Sequence, residues 1–209
     1  MTARLWYGFV IVRLLIAAVI LVTAACGGGQ ISNLPLAWKA ADTSVKPSPT
    51  VARALSTVPL AFGLRDTRAD QTAVGTIEED HVVIRTTDNV AQYASNRFGD
   101  ILRNAGARLN DAPQAILETD LLEFRVDEGN TYKGLVRIRV TVRRSGMPDW
   151  ARNYEGTSSR WGRSNSPDNM NEALSNSLHD ATTHMLQDEE FGGALLGAPN
   201  APPVPPAGG

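Results

Sequence analysis

The chain holds one cysteine, Cys26, and three histidines. A lone thiol can neither close an intrachain disulfide nor build a thiolate metal site. What remains is a buried or incidental thiol, or chemistry that places a group on the sulfur itself. His179 and His184 lie five residues apart in a helical pattern and point in different directions, unlike the four-apart pair of a zinc helix. His81 opens a strand pattern with no partner nearby in sequence. The acids Asp188, Glu189 and Glu190 end a helical run, where negative charge opposes the helix dipole, and read as a solvated turn. No nucleophile with a base, no metal set and no phosphate cradle is present, so the expectation is a protein that is not an enzyme and takes no cofactor or metal. Two arginine-containing segments are candidate partner-binding sites: Arg65 with Arg68, and Arg160, Trp161 and Arg163. Arginine with an aromatic is a common composition of binding hot spots. It is equally common at strand ends that stack on neighbours.

Cys26 stands at a junction. Arg4 and Arg13 precede it in a stretch without acids, an apolar run follows from Leu14 to Val22, and Thr23, Ala24 and Ala25 lead into the cysteine. A charged start, an apolar centre and small residues at a cut site make a secretory signal. A membrane span would need about 20 uninterrupted apolar residues, and Arg13 breaks the run. The stretch Thr23-Ala24-Ala25-Cys26 resembles the lipobox of bacterial lipoproteins. That resemblance implies a diacylglyceryl group on the Cys26 sulfur, cleavage before Cys26 and acylation of the new amine by chains such as palmitate. Several acyl chains anchor stably where one would not. Gly27, not aspartate, follows the cysteine, which by the enteric sorting pattern implies the outer membrane, with the domain facing the periplasm.

The formal net charge is −2, with no excess that points to nucleic acid. Residues 1–25 are expected to be the signal peptide and 26–54 the lipidated N-terminus and tether, with Gly and Pro linker chemistry in "GGGQ" and "KPSPT". Leu34, Leu36 and Trp38 read as either a short strand or a patch that docks on the domain. Residues 192–209, rich in Gly, Ala and Pro, are expected to be a disordered tail.

The domain is expected over 55–191. Strand patterns occur in "TVPLAFGLRDTR", "HVVIRT" and "ARLN". A helix is predicted from Val90 to Ala105, capped by Thr87 or Asp88 and closed by Gly106. Three longer strands follow, "QAILETDLLEFRV", "YKGLVRIRVTVRR" and "WARNYEGTSSRW", joined by short turns into an antiparallel meander. In the second, Val136, Ile138, Val140 and Val142 alternate with Arg137, Arg139, Thr141 and Arg143, a strand with one wet face. Glu118, Asp120 and Glu123 on the first strand match those arginines as cross-strand ion pairs. A last helix begins at Ser166-Pro167 and buries Met170, Leu174, Leu178, Ala181 and Met185. The expected fold class is α+β, a mostly antiparallel sheet with two helices packed on one face.

From about Pro59 to Phe191 the chain resembles the YajG-like bacterial lipoprotein family, through "DTR", "VGT", "NVAQYASNRFGDILRNAGARL", "LLEFRVDEGNTYKGLVRIRVTV", "YEGTSSRWGR" and "NEALSNSL". The resemblance implies a compact periplasmic domain without catalytic residues. The expectation is a lipid-anchored protein that meets the membrane through Cys26 and binds another envelope protein, its oligomeric state open. The other readings are an auxiliary lipoprotein of an envelope lipid or solute transporter of the ABC type, and a regulator of peptidoglycan synthesis.

Overall fold

The computed structural model describes residues 33–41, 44–78, 82–110, 112–162 and 165–197. Its elements in chain order are α1 (Pro49–Thr57), β1 (Leu60–Asp66), β2 (Ala73–Ile77), β3 (Val82–Arg85), α2 (Val90–Asn104), β4 (Ala115–Glu128), β5 (Thr131–Arg143), β6 (Trp150–Trp161), α3 (Pro167–Gln187) and α4 (Glu189–Leu196).

The fold class is α+β, with a six-stranded sheet that is mixed and not mostly antiparallel. The meander β4–β5–β6 is antiparallel, as its short turns require. The difference lies on the other edge of β4. There β1 pairs in parallel with Ala115–Leu121, and β2 pairs in parallel with Val126–Glu128. The 14-residue β4 is long enough to seat both end to end. The antiparallel β3 adds to β2. In the sequence, β2 is short and rich in small residues, Ala-Val-Gly-Thr-Ile, and carries no alternation of its own; burial against β4 makes it a strand.

β5 alternates as its sequence requires, with Tyr132, Gly134, Val136, Ile138, Val140 and Val142 buried. The helix α3 crosses this face at two glycines. A Cβ on Gly134 would collide with the Ala173 carbonyl and the Ser177 hydroxyl, and one on Gly156 with the backbone of Ser177 and Ala181. Met170, Leu174, Leu178, Ala181 and Met185 are all fully buried, and the Ser166 side chain caps the helix ahead of Pro167. The helix α2 packs on β1, where Phe98 stacks on Phe62 at 5.1 Å, and its Tyr93 meets Phe124 of β4 edge-on. Its cap is Asn89, not Thr87 or Asp88, because the Asp88 carboxylate accepts the Leu36 N–H instead.

Ordered packing reaches past both expected domain boundaries. Leu34 is fully buried, α1 begins in the span expected as tether and crosses its boundary, and α4 enters the span expected as tail. Helices α1 and α4 pack on each other, with Val51, Leu55, Phe191 and Leu195 buried. Asp188 caps α4 by accepting the Glu190 N–H, so this acidic run starts a helix instead of fraying from one. "ARLN" contributes an isolated bridge from Leu109 to Leu60 and no strand.

Candidate functional site

The two candidate segments sit on different parts of the sheet. Arg65 lies on the exposed side of β1, where its side chain is 71% exposed and pairs with Asp120 at 2.7 Å. Its hydrogen bond to Asp120 raises its pKa further above the already high value of arginine. Arg68 is different. Its side chain is 8% exposed, and all five of its N–H donors are engaged. Nε and Nη2 grip the two oxygens of Asp66, Nη1 reaches the carbonyls of Ala73 and Phe124, and Nη2 also reaches that of Gln71. The chain leaves the edge of β4 between β1 and β2, and the guanidinium satisfies the Phe124 carbonyl that a strand would otherwise have paired. Arg68 therefore closes the gap from within the fold.

Arg160 and Trp161 are neighbours in sequence and opposites in space. Strand alternation sends Arg160 to the helix side, where it pairs with Glu172 of α3. Trp161 turns to the other face at the end of β6 and is 84% exposed. Arg163 lies outside the described residues, as do Cys26 and His81.

Trp161 stands at a corner of the charged face of the sheet. The register sets Val83, Thr76, Asp127, Lys133 and Ser159 in one row across that face, beside the tryptophan. Ion pairs cover the centre. Arg137 bridges Glu123 at 2.6 Å and Glu155 at 2.8 Å, and Arg143 bridges Glu118 and Asp149. Asp120 is opposite Arg139 in register yet pairs with Arg65 from the other side. Among the described residues, Arg139 and Lys133 hold no ion-pair partner. The exposed large hydrophobic residues Val83, Ile116 and Trp161 all lie on this face. Alternation in β5 made the wet face legible in sequence; that Trp161 belongs to it follows only from the register.

A groove of about 610 Å³ runs between β1 and α2, lined among others by Phe62, Asn96, Arg97, Asp100 and Arg103. Asp100 is held by Arg103 at 2.9 Å and by Arg97 at 3.5 Å. The sequence reading missed this groove, since its lining comes from β1, from α2 beyond β2 and β3, and from Leu109 and Asn110. His184 turns Nδ1 to the Glu155 carbonyl at 2.8 Å. Among the described residues, no three His, Cys, Asp or Glu side chains gather as a metal set, and no helix is long and apolar enough to cross a membrane.

No family model matches the chain, and no curated protein matches it in sequence. Solved structures do resemble it. A Xanthomonas campestris protein assigned to the DUF330 family is 14% identical, with a TM-score of 0.50, over 77% of this chain and 95% of that one. A candidate lipoprotein from Caulobacter crescentus is 10% identical, with a TM-score of 0.39, over 72% of this chain and 98% of that one. A PelC dodecamer from Paraburkholderia phytofirmans is 14% identical, with a TM-score of 0.38, over 69% and 96%. At these identities the first likeness is one of fold.

Proposed function

We propose that this chain is a lipid-anchored cell-envelope protein, in the manner of the YajG-like lipoproteins, whose domain binds another envelope component without chemistry of its own. The observation that carries the reading is the single cysteine of the chain, placed after Thr23, Ala24 and Ala25 at the end of an apolar run. The shared fold with the Xanthomonas protein is consistent with it. Acyl chains on Cys26 would hold the protein to the outer membrane with the domain in the periplasm, since Gly27 follows the cysteine.

The domain offers a surface suited to a partner. The contacts of Tyr93 with Phe124 and of Ser177 with Gly134 support a reading in which both long helices lie on one side of the sheet. The other side keeps Trp161, with the cation Lys133 two residues along β5 from the tryptophan's register partner Thr131 and Arg139 farther along the same strand. A rigid aromatic rimmed by polar groups is the usual composition of an anchor residue. Arg65 adds an exposed guanidinium at the far side of the same face.

Fractionation of cells carrying wild type or Cys26→Ser, with an alkyne analogue of palmitate in the medium, tests the anchor. The wild type should take up the label and sediment with the outer membrane. The variant should be unlabelled and soluble in the periplasm. A Cys26→Ser protein still held in the outer membrane would overturn the reading.

A further inference from the structure

Residues 33–41 form a strap without helix or ladder that lies along α2 and α3. Leu34 donates its N–H to the Arg85 carbonyl at 2.7 Å, and Leu36 donates to Asp88 at 2.7 Å. Ala37, Lys39 and Ala41 then turn their N–H groups to Asn171, Ser175 and Asn176 of α3, each at 3.0 Å. That alternation is the period of an extended chain. Two carbonyls are read as well. Asn171 Nδ2 donates to Pro35 at 2.9 Å, and the Tyr93 hydroxyl donates to Ala37 at 3.2 Å.

Helix side chains thus recognise main chain. Asn171 is 2% exposed and Ser175 is fully buried. The Asn171 amide is satisfied on both its donor and its acceptor side by the strap backbone alone. With the strap gone, these buried groups would lose their partners, which a protein interior does not tolerate. The groove therefore calls for an occupant with the hydrogen-bonding pattern of an extended polypeptide. Side-chain reading is confined to a few places: Leu34 is fully buried, and Trp38 lies under the Arg97 guanidinium at 6.0 Å.

We propose that the groove between α2 and α3 is a binding site for an extended polypeptide segment, with residues 33–41 as its resident occupant and a segment of a partner protein as the ligand that displaces it. Recognition through backbone groups tolerates many sequences, as in other modes of extended-peptide capture. The proposal deepens the envelope-partner reading by naming the chemistry of the partner. On that reading it also links binding to reach: an emptied groove frees residues 33–41, about 30 Å of extended chain, between Cys26 and α1.

The test uses the full chain and a fluorescent peptide copying residues 33–41, read by anisotropy. Ala37→Pro with Lys39→Pro removes two of the strap's own donors and leaves every groove residue in place. This variant should bind the peptide at least about tenfold more tightly than wild type. A peptide with proline at the same two positions should not bind. A folded variant that binds neither peptide, or both alike, overturns the proposal. Hydrogen exchange on the wild type stands independently of how the variant folds. The amides of Ala37, Lys39 and Ala41 should exchange at least about 100-fold faster than those of Val136, Ile138 and Val140. Equal protection would mean a strap that never leaves, and would overturn the proposal too. None of these readouts depends on Cys26, so a failed groove and a failed anchor are told apart.

Discussion

Arg68 ties two strands to a third, although its sequence setting, Asp-Thr-Arg after a strand, suits a surface turn equally well. Its guanidinium and Asp66 are both buried, and removing one partner of such a pair leaves the other charged and unmatched. Arg68→Ala should lower unfolding stability by about 3–5 kcal/mol in urea titrations. Arg68→Lys should recover little of it, because an ammonium cannot span Asp66 and three carbonyls at once. Trp161 is the opposite case. At 84% exposure it contributes little to the core, and Trp161→Ala should change stability by no more than about 0.5 kcal/mol. The same substitution should reduce crosslinking of an envelope partner in intact cells. Unchanged crosslinking would remove Trp161 from the binding surface.

Among the elements, α3 and α4 show how packing settles what composition leaves open. Gly134 and Gly156 let α3 approach β5 and β6 closely, so Gly156→Ala should cost about 1–3 kcal/mol by overpacking and lower Tm accordingly. The helix α4 hangs on Asp188. Burial opposes ionisation of this carboxyl, but the Tyr154 hydroxyl at 2.6 Å, Arg152 at 2.7 Å and the Glu190 N–H together hold its pKa below the ordinary value. The same burial, with the bond to Asp188, pushes the Tyr154 phenol up, so it stays a donor at neutral pH. The sign follows from linkage. A carboxyl depressed in the fold contributes stability above its unfolded pKa, near 4, and loses it as pH falls through the lower folded value. Acid should therefore loosen α4, and Trp150, 6.0 Å from Phe191, should report it by fluorescence. In Asp188→Asn that acid transition should be absent.

For the whole molecule, one core joins the sheet, α2 and α3, and it extends to α1, α4 and the strap. Residues 33–54 and the end of the last helix from 192 on read as tether and tail because each is short and supplies only part of an apolar face. Leu34, Val51, Leu55 and Leu195 are buried only because other elements complete that face. Glycine misled in the same way: Gly192 in "FGGALL" looks like loop composition, yet a Cβ there would press on Thr50 and Val51 of α1.

Features whose physics is local were legible before the chain folded. The wet and dry sides of β5 follow from alternation, the stripe of α3 from helical spacing, the Ser166 cap from side-chain chemistry, and the place of the lone cysteine from its neighbours. Packing between distant elements set the rest. It laid β1 and β2 in parallel along one edge of β4, turned Arg68 inward, gave Arg160 to Glu172 of α3 and Trp161 to the charged face, and seated the strap on Asn171 and Ser175. Each of these rests on hydrogen bonds or burial between residues tens of positions apart, and the period of one element holds no record of its partner.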